Sequence, residues 1–116
     1  MKHEMYLDSV PFDAIYSGLK LIELRLYDEK RKKIYVGDII KFYKRSECSE
    51  DMECNVIRLF IYTSIMGLVE TQPYEYFGPR FHSKEQLFDK LSDNIGNYTK
   101  EGINKYELLA IKVELI

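Results

Sequence analysis

Lys20, Glu23 and Arg25 stand close together in SGLKLIELRL, a stretch that otherwise reads as a strand. A lysine ammonium can meet a phosphate or polarise a carbonyl. An arginine offers a planar fork to a phosphate or a base edge, and a glutamate accepts from a base amine or orients a neighbouring cation. Along a strand rising about 3.3 Å per residue, Glu23 and Arg25 lie roughly 7 Å apart on one face. The same two charges can also pair with each other in solvent, where such a pair contributes only about 0–1 kcal/mol. Which chemistry applies depends on whether this face looks into a cleft or into bulk water.

The elements around the three charges follow from local signals. Asp8 or Ser9 can cap a helix from Pro11 to Tyr16, and Gly18 stands just past its end, where a left-handed turn suits glycine. Leu19 to Leu26 reads as a strand with Ile22, Leu24 and Leu26 on the face opposite Glu23 and Arg25. The expectation is that the leucines point into a barrel and the charges away from it, with Lys20 at the entrance. Tyr27 to Lys33 is a charged connection. The turn Val36–Gly37–Asp38 leads into a strand from Ile39 to Tyr43, and Ser46 to Glu53 reads as a polar loop. Cys54 to Thr63 is rich in β-branched and aromatic residues and is expected to be a central strand.

Ser64 to Glu70 suggests a helical turn, Tyr74 to Phe81 an aromatic loop, and Ser83 a cap for a helix from Lys84 to Ser92, with Gln86 in capping-box position. A further helical turn over Thr99 to Asn104 precedes a closing strand, Tyr106 to Leu115, with Leu109, Ile111, Val113 and Leu115 on one face. Short strands interrupted by small helices, without regular βαβ alternation, indicate an α+β domain built on a small mixed β-barrel of about five to six strands with flanking short helices.

The 116 residues are one domain's worth, and at 46% hydrophobic and 14% aromatic the chain can bury a core. No apolar run approaches a membrane span of about 20 residues, and MKHEMYLDSV lacks the apolar centre of a signal peptide. A reducing, cytoplasmic setting is the expectation. Cys48 and Cys54 fit neither a zinc knuckle nor a redox pair and are read as free thiols, and His3 and His82 match no metal spacing. Neither a metal nor a cofactor is expected. Up to Arg45 the chain has ten Lys/Arg against seven Asp/Glu; beyond it, seven against twelve. The acidic remainder weakens nonspecific attraction for nucleic acid, so an anion would be bound locally.

Gly18, Lys20, Glu23 and Arg25 form G-x-K-x-x-E-x-R, preceded by a short helix and followed by the charged DEKRKK and the V-G-D turn. With the central strand, the late helix and the closing strand, this resembles the ASCH domain family, related in fold to PUA domains, over nearly the whole chain. The resemblance implies a β-barrel with helices around it and a cleft beside the motif, and binding of RNA or a nucleotide. It places Gly18, Lys20, Glu23 and Arg25 at that cleft. Lys30, Arg31, Lys32 and Lys33 read as a solvated loop or, if RNA binds, as its phosphate-contacting rim. Some relatives hydrolyse an acetylated cytidine with a lysine and, three residues later, a threonine nucleophile; others are described as nucleases. Here Glu23 stands in the threonine's place, a poor substitute where an acyl-enzyme must form. Glu23 could instead activate water beside Lys20, with Glu70 a candidate second carboxylate. Tyr74, Tyr76, Phe77 and Phe81 could stack bases or lid the core. Three functions follow: an RNA- or nucleotide-binding module, a small hydrolase of a modified nucleoside or RNA using Lys20 and Glu23, or a protein-interaction domain.

Overall fold

A computed structural model describes residues 1–93 and 98–116, with the backbone alone for 47–49. Five strands form one curled, half-barrel sheet: β1 (Lys2–Leu7), β2 (Ile22–Leu26), β3 (Ile39–Lys44), β4 (Glu47–Tyr62) and β5 (Leu108–Leu115), in the order β1-β3-β4-β5-β2. β1 pairs parallel to β3 and every other neighbour is antiparallel. Among the described residues four α-helices accompany the sheet: α1 (Ser9–Tyr16), α2 (Ile65–Thr71), α3 (Lys84–Ser92) and α4 (Lys100–Tyr106). The expected α+β class holds. No described helix is long and apolar enough to cross a membrane.

The sheet has an apolar cluster on each face. The inner cluster joins Met5 and Leu7 of β1, Phe12 and Ile15 of α1, Ile40 and Phe42, and Leu109, Ile111 and Val113 of β5. The outer one joins Ile22, Leu24, Leu108 and Ala110 to Leu68 of α2, Leu87 and Leu91 of α3 and Ile103 of α4. β4 serves both, and a register shift between Val56 and Arg58 marks one extra residue. Such a bulge changes the strand's phase, so Val56 and Leu59 both reach the inner side while Phe60 and Tyr62 reach the outer. The three helices of the outer face share a device: Ser64, Ser83 and Thr99 each accept from the backbone N–H three residues on, at 3.0 Å. A lost cap of this kind costs about 1 kcal/mol.

Several expectations need correction. Lys2–Leu7, with Met5 and Leu7 inward, is a strand that the sequence reading did not identify. The polar stretch from Ser46 to Glu53 is not a loop: Glu47 to Glu53 belong to β4. Charged residues suit that half because one of its faces is solvated. β2 begins at Ile22, not Leu19, because residues 17–20 are spent on ending α1. The closing strand begins at Leu108, since α4 runs to Tyr106. Cys54 is a free, buried thiol; Cys48 falls outside the described side chains. Asp8 occupies the N-cap position of α1, but its carboxylate pairs with Arg45 at 2.7 Å and makes no cap bond.

Candidate functional site

The orientation of β2 is the main surprise. Glu23 pairs with Ile111 and Arg25 with Leu109, whereas Leu24 pairs with Ala110. Directly opposed residues share a face. The charges therefore look to the inner side of the half-barrel, and Ile22 and Leu24 look out beneath the helices. The expectation of inward leucines is reversed, because α2, α3 and α4 supply a second apolar layer that claims them.

β1 and β2 are the two edges of the sheet, and between them it does not close. A cleft of about 630 Å³ lies along this seam, bordered by Tyr6 and Leu7 on one side and by residues 23–26 on the other. That is the scale of a small-ligand site. Arg25 bridges the seam, its Nη2 donating to the Tyr6 carbonyl oxygen at 3.0 Å. Its Nε donates to Glu23 Oε2 at 2.8 Å, and Lys20 Nζ stands 3.4 Å from the other carboxylate oxygen, Oε1. One buried carboxylate thus serves two cations.

Lys20 is delivered to this point by the end of α1. Gly18 adopts φ +81°, Gly18 N donates to Ile15 O at 3.1 Å and Leu19 N to Ala14 O at 2.9 Å, the paired bonds of a left-handed helix stop. Lys20 N also donates to Ala14 O at 3.1 Å, and Leu21 N to Tyr76 O at 2.8 Å ties the approach to the aromatic loop. Lys20 Nζ also donates to Phe77 O at 3.4 Å. Burial pushes the Lys20 ammonium below its ordinary pKa; Glu23 opposes this, while Arg80 and Arg25 add like-charge repulsion. Glu23 and Lys20 side chains are 8% and 11% exposed, so the ion pairs stand largely out of water.

The remaining positions divide. Arg31 borders the cleft; its Nη1 binds Asp28 at 2.8 Å, and its Nε is buried without a hydrogen-bond partner. Lys30 is exposed and, like Gly18, is not part of the cleft wall. Glu70 is exposed on α2 and does not border the cleft either. In the aromatic loop, Phe77 and Phe81 are buried in the outer cluster with Tyr74 and Tyr76 packed against it, so this loop lids the core and its edge walls the cleft.

Two contributors escaped the sequence reading. Arg80 borders the cleft after the Gly78–Pro79 turn and lies over the Phe81 ring, 5.4 Å from its centroid. A lone arginine directly behind a Gly–Pro turn was the available signal. Tyr98 donates its hydroxyl to the Leu24 carbonyl on the free edge of β2, and burial, with Glu23, holds its phenol above the usual range. Nothing in its local sequence signals that contact. Among the described residues no cluster of His, Cys, Asp or Glu could hold a metal ion.

The chain matches no protein-family model and no curated protein. Solved structures do resemble it. The hypothetical protein PH0355 is 34% identical, with full coverage of both chains and a TM-score of 0.83. Protein PF0455 from Pyrococcus furiosus is 30% identical, covering all of this chain and 98% of that one, with a TM-score of 0.72. A variant of ZmASCH from Zymomonas mobilis is 16% identical, covering 97% of this chain and 67% of that one, with a TM-score of 0.64. At that distance the likeness concerns the fold alone. The chain therefore belongs to the family of PH0355 and PF0455, and its fold is the ASCH-like one seen in ZmASCH.

Proposed function

We propose that this ASCH-type module binds RNA or a nucleotide in the seam cleft. The observation that carries this is the shared carboxylate: Glu23 is flanked by Lys20 and Arg25 inside a cleft that three further arginines, Arg31, Arg45 and Arg80, also border. An anion entering there meets donors already held in place and already largely stripped of water, which strengthens each contact. Phe77 and Phe81 give the same cleft an apolar wall for a base or sugar. Lys20→Ala and Arg25→Ala should each weaken binding of short single-stranded RNA, and wild-type binding should tighten at low salt. Unchanged affinity in both variants would remove the proposal.

One observation favours a second reading, hydrolysis of a modified nucleoside or RNA. Lys20 lies beside Glu23 and is pushed below its ordinary pKa, as an oxyanion-stabilising or proton-shuttling lysine would be. Against it, each Glu23 oxygen already faces a cation, so a general base would first have to give up a partner. Purified protein incubated with acetylated cytidine should release acetate if hydrolysis is the function, and Glu23→Gln should abolish the release. Absence of turnover by the wild type would reject that substrate.

A further inference from the structure

The ion pairs of the cleft do not balance. Among the described side chains, five cationic groups border it, against three carboxylates. Two pairs are closed at its rim: Arg31 with Asp28 at 2.8 Å, and Arg45 with Asp8 at 2.7 Å. That leaves Lys20, Arg25 and Arg80 facing Glu23 alone. With Lys20 ionised, the described side chains of the cleft carry two positive charges in excess.

The surplus is concentrated. Arg80 has no carboxylate partner among the described residues, and its charge acts on Lys20 and reaches the Tyr98 hydroxyl, so it belongs to the same electrostatic site. Phe81 supports its guanidinium from below by a cation–π contact. Lys20 and Arg25 sit largely out of water, where uncompensated charge is costly and an incoming anion is correspondingly favoured. A neutral nucleoside would leave the surplus intact, and one phosphodiester would cancel half of it. A phosphate monoester carries about −1.5 to −2 at neutral pH.

We infer that the cleft selects a nucleotide or RNA end bearing a terminal phosphate monoester, and that Arg80 is the residue that reads it. This rests on the nucleotide-binding proposal for the same cleft and narrows its ligand class. Arg80 suits the role by geometry: it stands at the exposed margin of the cleft, on a turn, with its planar fork free of a carboxylate. Lys20 and Arg25, held by Glu23 deeper in, form the floor that the phosphate approaches.

The test compares random-sequence RNA hexamers carrying a 5′-phosphate, a 3′-phosphate or hydroxyls at both ends, with inorganic phosphate as competitor, all at one fixed low salt concentration. The wild type should bind a phosphorylated end at least about tenfold more tightly than hydroxyl ends, the scale of one charge-assisted contact. In Arg80→Gln that ratio should collapse towards one, and in Arg80→Lys, which keeps the charge, much of it should survive. Equal binding of phosphorylated and hydroxyl ends by the wild type would overturn the inference; loss of that binding in Lys20→Ala would then leave RNA binding standing. A ratio unchanged in Arg80→Gln would overturn the role of Arg80. Inorganic phosphate competing as well as a phosphorylated hexamer would also overturn it, by showing a simple anion hole. No binding by the wild type of either RNA or a free nucleoside monophosphate assayed beside it would remove both proposals.

Discussion

Lys20 and Lys44 side chains are similarly exposed, 11% and 14%, yet Lys20 is far more desolvated and the two environments act in opposite directions. Lys44 stands between two carboxylates, Asp13 at 3.0 Å and Glu50 at 2.8 Å, with the Phe12 ring 5.3 Å away. Those partners hold its pKa above the ordinary lysine value. Lys20 shares one carboxylate with Arg25 and feels Arg80 as well, and burial drives it the other way. Similar exposure therefore conceals a difference both in depth of burial and in charge balance. The Lys44 cluster is complete and ties α1 to the β3–β4 hairpin. The Lys20 cluster is short of negative charge and opens on a cleft, as a ligand site would be.

The comparison can be broken most forcefully at Glu23. Glu23→Gln leaves Lys20 and Arg25 without their shared carboxylate, and breaking a buried pair in this way costs about 3–5 kcal/mol. Equilibrium denaturation should show that loss. Glu50→Gln, which leaves Lys44 with Asp13, should be far milder. Equal effects would mean that the two clusters are equivalent surface pairs.

Alkaline titration sharpens the contrast, because the two lysines have opposite signs. Between the lowered pKa of folded Lys20 and its ordinary 10.5, the unfolded chain holds a proton that the folded chain does not, so the Lys20 contribution to stability rises with pH across that window. The Lys44 contribution is fully present below 10.5 and is lost as pH rises through its raised folded value. Lys20→Met should therefore remove a gain in stability with pH, and Lys44→Met should remove a loss. RNA affinity should fall as pH rises through the Lys20 transition, since the deprotonated amine no longer attracts phosphate.

A third ion cluster sets the small end of the scale. Asp38 accepts from His3 Nε2 at 2.8 Å, from Tyr35 N at 3.0 Å and from the terminal amine at 3.2 Å. The His3 bond is the first cause of its pKa, lowered from 3.8 to about 2. Its stabilisation is present above 3.8 and disappears as pH falls through about 2. Asp38→Asn should flatten the acid limb of a stability–pH curve modestly and leave RNA binding as it is.

How much of this was legible in the chain varies by element. The α3 boundaries followed from Ser83 and from Gln86 three residues on, because capping residues are local signals. Even there the capping box is offset: Gln86 Oε1 accepts from His82 N at 2.7 Å instead of from the cap residue itself. The central part of β4 and most of β5 were visible for the same local reason. β1 was not, since its place depends on β3 offering a parallel edge 37 residues later. The side of the sheet that Glu23 faces was also hidden. Alternation tells which residues share a face, but which face meets the helices is settled by the packing of α2, α3 and α4. For the site, the G-x-K-x-x-E-x-R residues could be named from sequence, whereas Tyr98 could not, because the folded chain brings it to Leu24 from 74 residues away, and Arg80 offered only its place behind the Gly78–Pro79 turn.

On the RNA-binding proposal, deep burial beside a charge deficit, and not low surface exposure alone, sets Lys20 apart as a ligand-binding lysine. The most direct test of that distinction is the affinity of Lys20→Ala and Lys44→Ala for short single-stranded RNA, measured side by side at low ionic strength. Lys20→Ala should lose about tenfold or more, the scale of a charge-assisted contact, and Lys44→Ala should match the wild type. Equal affinities in the two variants, whether both retained or both lost, would contradict it.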